Sequence, residues 1–313
     1  MPTEPVDDFL KRDRDEDETE LYQILEKFAS GIEETVNYGT VIFKWCNESL
    51  KGENDKNVPV LLLFRHSLEL CDSISILIRK SSIDPCKTHL RALFEAITSA
   101  LYLLEENHER RAYAFLVCRT HKKIKQYKSL DPNTELGKQF KGKMKGTVLN
   151  DLQIPGQFDI EKIINSQENL LNKDGYKQAN QEYRRLKKER KKTPKWFQFY
   201  GGPGSLEQMA IKLGKVAEYE IFYRNWSEYI HSTEVISDNL QLDEGQTYIA
   251  ALRQPFNAQF VTSTTLTFAF KLYKKMIEHF VPNNITHYRI WRSENINSFY
   301  KEVTSRNRII KRV

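Results

Sequence analysis

Long runs without a helix breaker constrain the fold of this chain more than any other feature. Its 313 residues include only 13 glycines and 10 prolines, mostly clustered, so long stretches carry nothing that interrupts a helix. "ELYQILEKFASGIEETVNYGTVIFKWCNES" reads as one amphipathic helix ending near "KGEND". "VPVLLLFRHSLELCDSISILIRK" is strongly apolar and tolerates Pro59 in its first turn. "SSIDPCKTHLRALFEAITSALYLLEE" opens with Asp84 as N-cap and Pro85 at the first helical position. "HERRAYAFLVCRTHKKIKQYKSL" continues the series and turns basic towards its end.

Residues 131–157 are richer in Gly, Pro and Lys and read as irregular. Two further helices follow in "FDIEKIINSQENLLN" and "YKQANQEYRRLKKERKK". A capping box, Ser205 with Gln208, starts the next helix, whose pattern breaks near Gly214. "DNLQLDEGQTYIAALRQ" reads as a loop or a short hairpin. "FNAQFVTSTTLTFAFKLYKKMIEHF" reads as a last core helix despite its β-branched threonines. The expected fold class is all-α, a multi-helix bundle over 21–282, with a partly docked C-terminal extension over 283–313.

Charge is segregated. Residues 1–20 hold nine acids and three bases, an acidic arm of −6 that fits a disordered segment. Residues 121–195 hold nineteen Lys or Arg against nine Asp or Glu, a basic insertion of +10. In "YRRLKKERKKTPKW", Arg184, Arg185, Lys187, Lys188, Arg190, Lys191 and Lys192 precede Trp196, and Tyr183, Phe197 and Tyr200 add aromatics. Such a cluster is commonly just a solvated face, but cations interleaved with aromatics also suit an unpaired RNA strand. No window of 18 apolar residues and no apolar leader occurs, so neither a membrane span nor a secretory signal is expected. Cys46, Cys71, Cys86 and Cys118 form no C-x-x-C pair and sit among apolar residues, which fits buried reduced thiols in the cytoplasm.

Polar residues also interrupt apolar helical faces. In "FYRNWSEYIHST", Arg224, Ser227, Glu228 and His231 fall at i, i+3, i+4 and i+7, one stripe of a helix. Arg65 and Glu69 are spaced i, i+4, as are Arg91 and Glu95. The plain reading is intrahelical pairing on partly exposed faces. The sharper one is a shared polar cavity supported by Arg65, Glu69, Arg91, Glu95 and Ser227, because buried charges need partners.

The segment "WFQFYGGPGSLEQMAIKLGKVAEYEIFYRNWSEYIHST", with "RHSLELCDSISILIRK" and "LRALFEAITSALYLLE" upstream, resembles a bacterial family of uncharacterised helical proteins over roughly residues 30–280. That family looks like a distant relative of the HEPN superfamily, helical bundles that include metal-independent endoribonucleases of toxin and antiphage systems. Their signature is Arg, often a polar residue, then His after four to six positions. Here Asn225 follows Arg224, and six residues separate Arg224 from His231.

The resemblance implies a cytoplasmic homodimer in which two such motifs meet, acting on RNA without metal or cofactor. His231 would be general base or acid, Arg224 the phosphate stabiliser, Asn225 an orienting group, and Glu228 a positioner of Arg224 or of the histidine. A regulatory partner protein is compatible with such a system. Two rival readings stand beside it. One is a non-catalytic helical module that binds nucleic acid or protein. The other is a di-metal carboxylate site built from Glu105, His108, Glu228 and His231 with Glu69 and Glu95.

Overall fold

The computed structural model describes residues 7–10, 19–50, 55–147, 159–226, 240–243, 246–307 and 309–310. The chain is an all-α multi-helix protein whose strands form a single small hairpin among the described residues. It divides into two compact units. The first comprises Met1–Asn54, Val60–Glu105 and Leu206–Val313; the second comprises Asp55–Pro59 and Glu106–Ser205.

The first unit contains α1 (Asp7–Leu10), α2 (Thr19–Ser49), most of α3 (Val58–Arg79) and α4 (Cys86–Leu104). Asp84 does not cap α4 as expected; Pro85 occupies the cap, and the Asp84 carboxylate pairs with Lys87 at 3.0 Å instead. On α2, Leu25, Phe28, Ala29 and Ile32 recur at i, i+3, i+4 and i+7 and are all buried. Each large side chain removed from water in this way contributes roughly 1.5–3 kcal/mol.

The last core helix lies at Ala258–Phe280, where a core helix was expected. Its buried threonines are accommodated because Thr262 and Thr265 donate back to the carbonyls of Ala258 and Val261, both at 2.8 Å. Ahead of it, Leu240–Asp243 and Gln246–Ile249 pair antiparallel, with Leu240 opposite Ile249.

The C-terminal segment packs more fully than the expected extension. Trp291 stacks on Tyr38 with ring centres 3.9 Å apart and donates its Nε1–H to Glu34 at 2.7 Å. Phe299 lies over Gly31, where any Cβ would overlap its ring. These partners lie more than 250 residues apart in sequence, beyond the reach of local periodicity.

Arg79, in the last turn of α3, forks onto two carboxylates of α2. It reaches Glu26 at 2.8 and 3.1 Å and Glu33 at 2.7 Å through both terminal nitrogens. Hydrogen bonds from Arg79 hold both carboxyls below their ordinary value against the opposing effect of burial. A depressed folded value means that the stabilisation is fully present above the unfolded carboxylate range and is lost as pH falls from there through the lower folded value. Arg79→Met is expected to cost about 1 kcal/mol at neutral pH, with the deficit shrinking below about pH 4. Urea denaturation at several pH values checks this, and a pH-independent deficit would assign the loss to packing alone.

The second unit is built around α5 (His108–Leu130), with α6 (Glu135–Met144), α7 (Ile160–Leu170), α8 (Tyr176–Arg190) and a 3₁₀ turn at Trp196–Gly201. Its own core includes Val117, Ile124, Ile164, Tyr183, Leu186 and Phe199. It is therefore wider than the expected insertion at 121–195. Helix α6 lies within the stretch expected to be irregular, and Thr134 caps it by accepting the Gly137 N–H at 3.0 Å.

Candidate reaction centre and basic face

Helix α9 (Leu206–Lys212) ends where the sequence breaks, at Gly214, whose φ of +65° is the left-handed conformation that favours glycine. The Lys215 N–H closes the turn onto Ala210 O at 2.8 Å. The short helix α10 (Val216–Glu218) then widens into a π-helical segment, Tyr219–Asn225. Of the i, i+3, i+4, i+7 stripe, only Arg224 falls within this π-helical segment. Arg224 is described in full and Asn225 in its backbone; Ser227, Glu228 and His231 lie outside the described residues.

Arg224 is about half exposed and engages two carboxylates, Glu207 at 3.0 Å and Glu220 at 3.1 Å. Its guanidinium also lies 5.7 Å from the centre of the Tyr219 ring. Tyr219 stacks on Tyr223, with centres 5.1 Å apart. Arg91 of α4 covers Tyr223 at 4.1 Å and lies 3.6 Å from Glu95. The Arg91 Nε is buried without a hydrogen-bond partner, so its ring contact carries much of the compensation for burial. Phe94 touches both tyrosines. The π-helical turn thus brings Arg91, Glu95 and Arg224 into one Arg–Tyr–Tyr–Arg cluster.

The expected cavity does not extend to α3. Arg65 and Glu69 pair at 3.3 Å on its solvent face, with side chains 63% and 55% exposed. Intrahelical pairing, the plain reading, describes these two.

A partly buried charge cluster escaped sequence reasoning. Glu218 accepts from Lys271 at 2.8 Å and lies 3.8 Å from the nearly buried Lys215. Burial pushes the Lys215 ammonium below its ordinary range, and Lys271 adds to the effect. Burial alone would raise the Glu218 carboxyl, but the hydrogen bond from Lys271 and the charges of both lysines hold it below its ordinary value. The available signal was Lys271 itself, a lysine inside the apolar run "FAFKLY".

In the second unit, charge is strongly one-sided. It holds 23 Lys or Arg against 12 Asp or Glu, a net +11, which leaves −5 for the rest of the chain. On α8 the residues Tyr176, Ala179, Tyr183 and Leu186 face inward. Arg184, Lys187, Lys188 and Arg190 are therefore exposed, followed by exposed Lys191 and Lys192. None of these six forms an ion pair with a described residue. Arg185 differs, bound to Glu182 and Glu189, both at 2.7 Å.

The aromatics expected beside these cations belong to the packing instead. Tyr183 is buried and stacks on His121 at 3.9 Å; Phe197 is buried. Trp196 packs edge-on against Phe115, and Arg110 covers Tyr200 at 3.6 Å. Burial lowers the proton affinity of His121, which lies 2.8 Å from Asn180 Oδ1.

Burial pushes the thiols of Cys46, Cys71, Cys86 and Cys118 up to about 12, so none is a ready nucleophile. Among the described residues no three His, Cys, Asp or Glu side chains converge on a metal-sized site. Of the proposed di-metal set, Glu228 and His231 lie outside the described residues, and His108 Nε2 engages Asn57 at 3.0 Å. No described helix is long and apolar enough to cross a membrane.

Residues 57–247, a span of 191, match the model of a family described as a family of unknown function, DUF5677. No curated protein and no solved structure matches the chain.

Proposed function

Given that the chain belongs to the DUF5677 family, whose matched span takes in α5, α8 and both Arg224 and His231, we propose that it is an RNA-directed protein. The basic helical unit supplies affinity for RNA, and the Arg224–His231 segment carries metal-independent cleavage. The observation that carries this reading is the exposed α8 face of Arg184, Lys187, Lys188 and Arg190, which pair with no described residue, in a unit of net +11. Phosphate neutralisation by Lys and Arg supplies most of the sequence-independent affinity for nucleic acid.

In the proposed reaction, His231 accepts the proton of a 2′-hydroxyl, whose oxygen attacks the adjacent phosphorus. The P–O5′ bond breaks, a proton is delivered to O5′, and the products are a 2′,3′-cyclic phosphate and a 5′-hydroxyl. Arg224 carries the charge of the phosphorane, Asn225 orients, and Glu228 positions. A guanidinium held by carboxylates suits this role, since phosphate oxygens match the same fork of donors. Glu207 and Glu220 then compete with substrate for Arg224. HEPN-like architecture, a homodimer pairing two such motifs, a cytoplasmic bacterial defence or toxin setting, and a restraining partner all belong to this proposal.

The neutralised state of Arg224 also favours a second reading, a non-catalytic RNA-binding module in which the Arg–Tyr cluster is structural. Cleavage of varied RNAs by metal-free protein in EDTA separates the two. Arg224→Ala and His231→Ala, each checked for folding, are expected to lower the rate by about 10²-fold or more. Glu207→Gln is expected to raise it. Cleavage that survives both alanine substitutions would sink the catalytic assignment, and no cleavage by the unaltered protein would favour the binding module.

A further inference from the structure

A cleft of about 780 Å³ runs along the outer face of the Ala258–Phe280 helix, entirely within the first unit. That volume falls within the roughly 300–1,000 Å³ range of small-molecule sites. One wall is aromatic, formed by Phe222, Phe256, Phe260 and Phe268. Phe222 stacks on Phe260 at 5.9 Å and meets Phe268 edge-on at 5.1 Å. Phe260 remains 44% exposed, a large ring surface open to solvent.

The facing wall is the segment after Val303, and Gln259 fastens it. Gln259 Nε2 donates to Val303 O at 3.3 Å and to Asn307 O at 3.1 Å, while its Oε1 accepts the Ile309 N–H at 3.0 Å. One glutamine thus satisfies several backbone groups that a loose end would leave to water. The cleft has two fixed sides.

Its charge is unbalanced. Lys271 and Arg306 line it together with Glu218. Lys215 shares Glu218 from behind, and Arg306 forms no ion pair with a described residue. The lining therefore holds two cations and one carboxylate, and that carboxylate is already shared with Lys215. The Ser263 hydroxyl donates to Phe260 O at 3.0 Å, which leaves its oxygen free to accept.

We infer that this cleft binds a nucleotide, with the base against the phenylalanine wall and the phosphate between Lys271 and Arg306. A neutral apolar ligand would desolvate those cations without compensation, and a cationic one would meet their repulsion. Inorganic phosphate alone would leave the aromatic wall unused. Ring stacking and charge pairing together require an aromatic anion, and the accepting Ser263 oxygen suits a ribose hydroxyl. The nucleotide is either free or the phosphorylated end of an RNA strand. The inference does not rest on cleavage by the Arg224 segment, and binding is read without turnover.

Calorimetric titration of the full chain with AMP, adenosine, inorganic phosphate and a 5′-phosphorylated RNA tetramer tests it. AMP is expected to bind at least tenfold more tightly than adenosine or phosphate. A tetramer that binds better than AMP assigns the site to RNA ends, and the reverse assigns it to free nucleotide. Phe260→Ala and Arg306→Gln, both at exposed positions, are each expected to weaken AMP about tenfold. Lys274→Gln, outside the cleft, is expected to change nothing. Adenosine binding as well as AMP, no AMP binding at millimolar concentration, or affinity untouched by both cleft substitutions would overturn the inference.

Discussion

Replacing Arg184, Lys187, Lys188 and Lys191 together by glutamate is expected to weaken RNA binding by at least about 100-fold near 0.1 M salt. The four sit at i, i+3, i+4 and i+7, so they present one cationic stripe along α8 and its cap. Each exchange removes two charges, and the second unit falls from +11 to +3. For single strands the salt slope is about −0.7 per phosphate neutralised, so losing four contacts should flatten it by about 3. Filter binding from 50 to 300 mM salt reads both quantities.

The stripe is solvent-facing, so its reversal leaves the Tyr183–Leu186 packing intact. The cost to the helix is confined to its last turn, where lost cations forfeit about 0.3–1 kcal/mol of dipole stabilisation. Circular dichroism should therefore show a folded protein. Reversal of Lys274 and Lys275, which pair with Glu278 in the first unit and change the net charge by half as much, provides a control. If that control weakens binding as much, net charge rather than the α8 face governs the affinity.

How much of this was legible in the sequence follows from the range of each interaction. The long helices were readable because their apolar spacing and sparse breakers are local properties, as were Pro59 in the first turn of α3 and the break at Gly214. Helix α6 was missed because Gly137, Gly142 and several lysines resemble loop composition, although Thr134 followed by Glu135 is a start signal. The aromatics after α8 were read as a stacking surface because local sequence cannot show that Tyr183 meets His121 or that Arg110 covers Tyr200.

The candidate site was legible only in part, for the same reason. Arg224, Arg91 and Glu95 were named from spacing within their own helices, and the fold does bring them into one cluster. Tyr219 and Tyr223, which join them, were not assigned that role. Nor does spacing reveal the π-helical turn that sets their orientation, since it arises from how the segment packs on α4. Arg65 and Glu69 carry the same i, i+4 signal as Arg91 and Glu95, yet they face solvent. An intrahelical pair does not specify which side of the helix will be covered.

Substitution at Gly39 is expected to be among the most destabilising single changes in the first unit. A Cβ at this position on α2 would overlap the Tyr273 hydroxyl and a methyl of Leu68. Tyr273 is fully buried, and its hydroxyl donates to Thr35 O at 2.8 Å. Gly39→Ala gains about 1 kcal/mol of helix propensity. Against that stand about 1–3 kcal/mol of overpacking and about 1–3 kcal/mol for separating a buried hydroxyl from its carbonyl. The net is a loss of about 1–5 kcal/mol, and Gly39→Val, which adds two further methyls, should lose more than Gly39→Ala. Gly142 of α6 supplies the comparison, because nothing lies within 4 Å of its added Cβ, and Gly142→Ala should stabilise by about 0.5–1 kcal/mol. Thermal unfolding of these variants tests the ordering. Pairing Gly39→Ala with Tyr273→Phe removes the overlapping hydroxyl, so the double variant should lose less than the sum of its parts. Strict additivity would place the damage elsewhere and refute the role assigned to this close α2–Tyr273 contact.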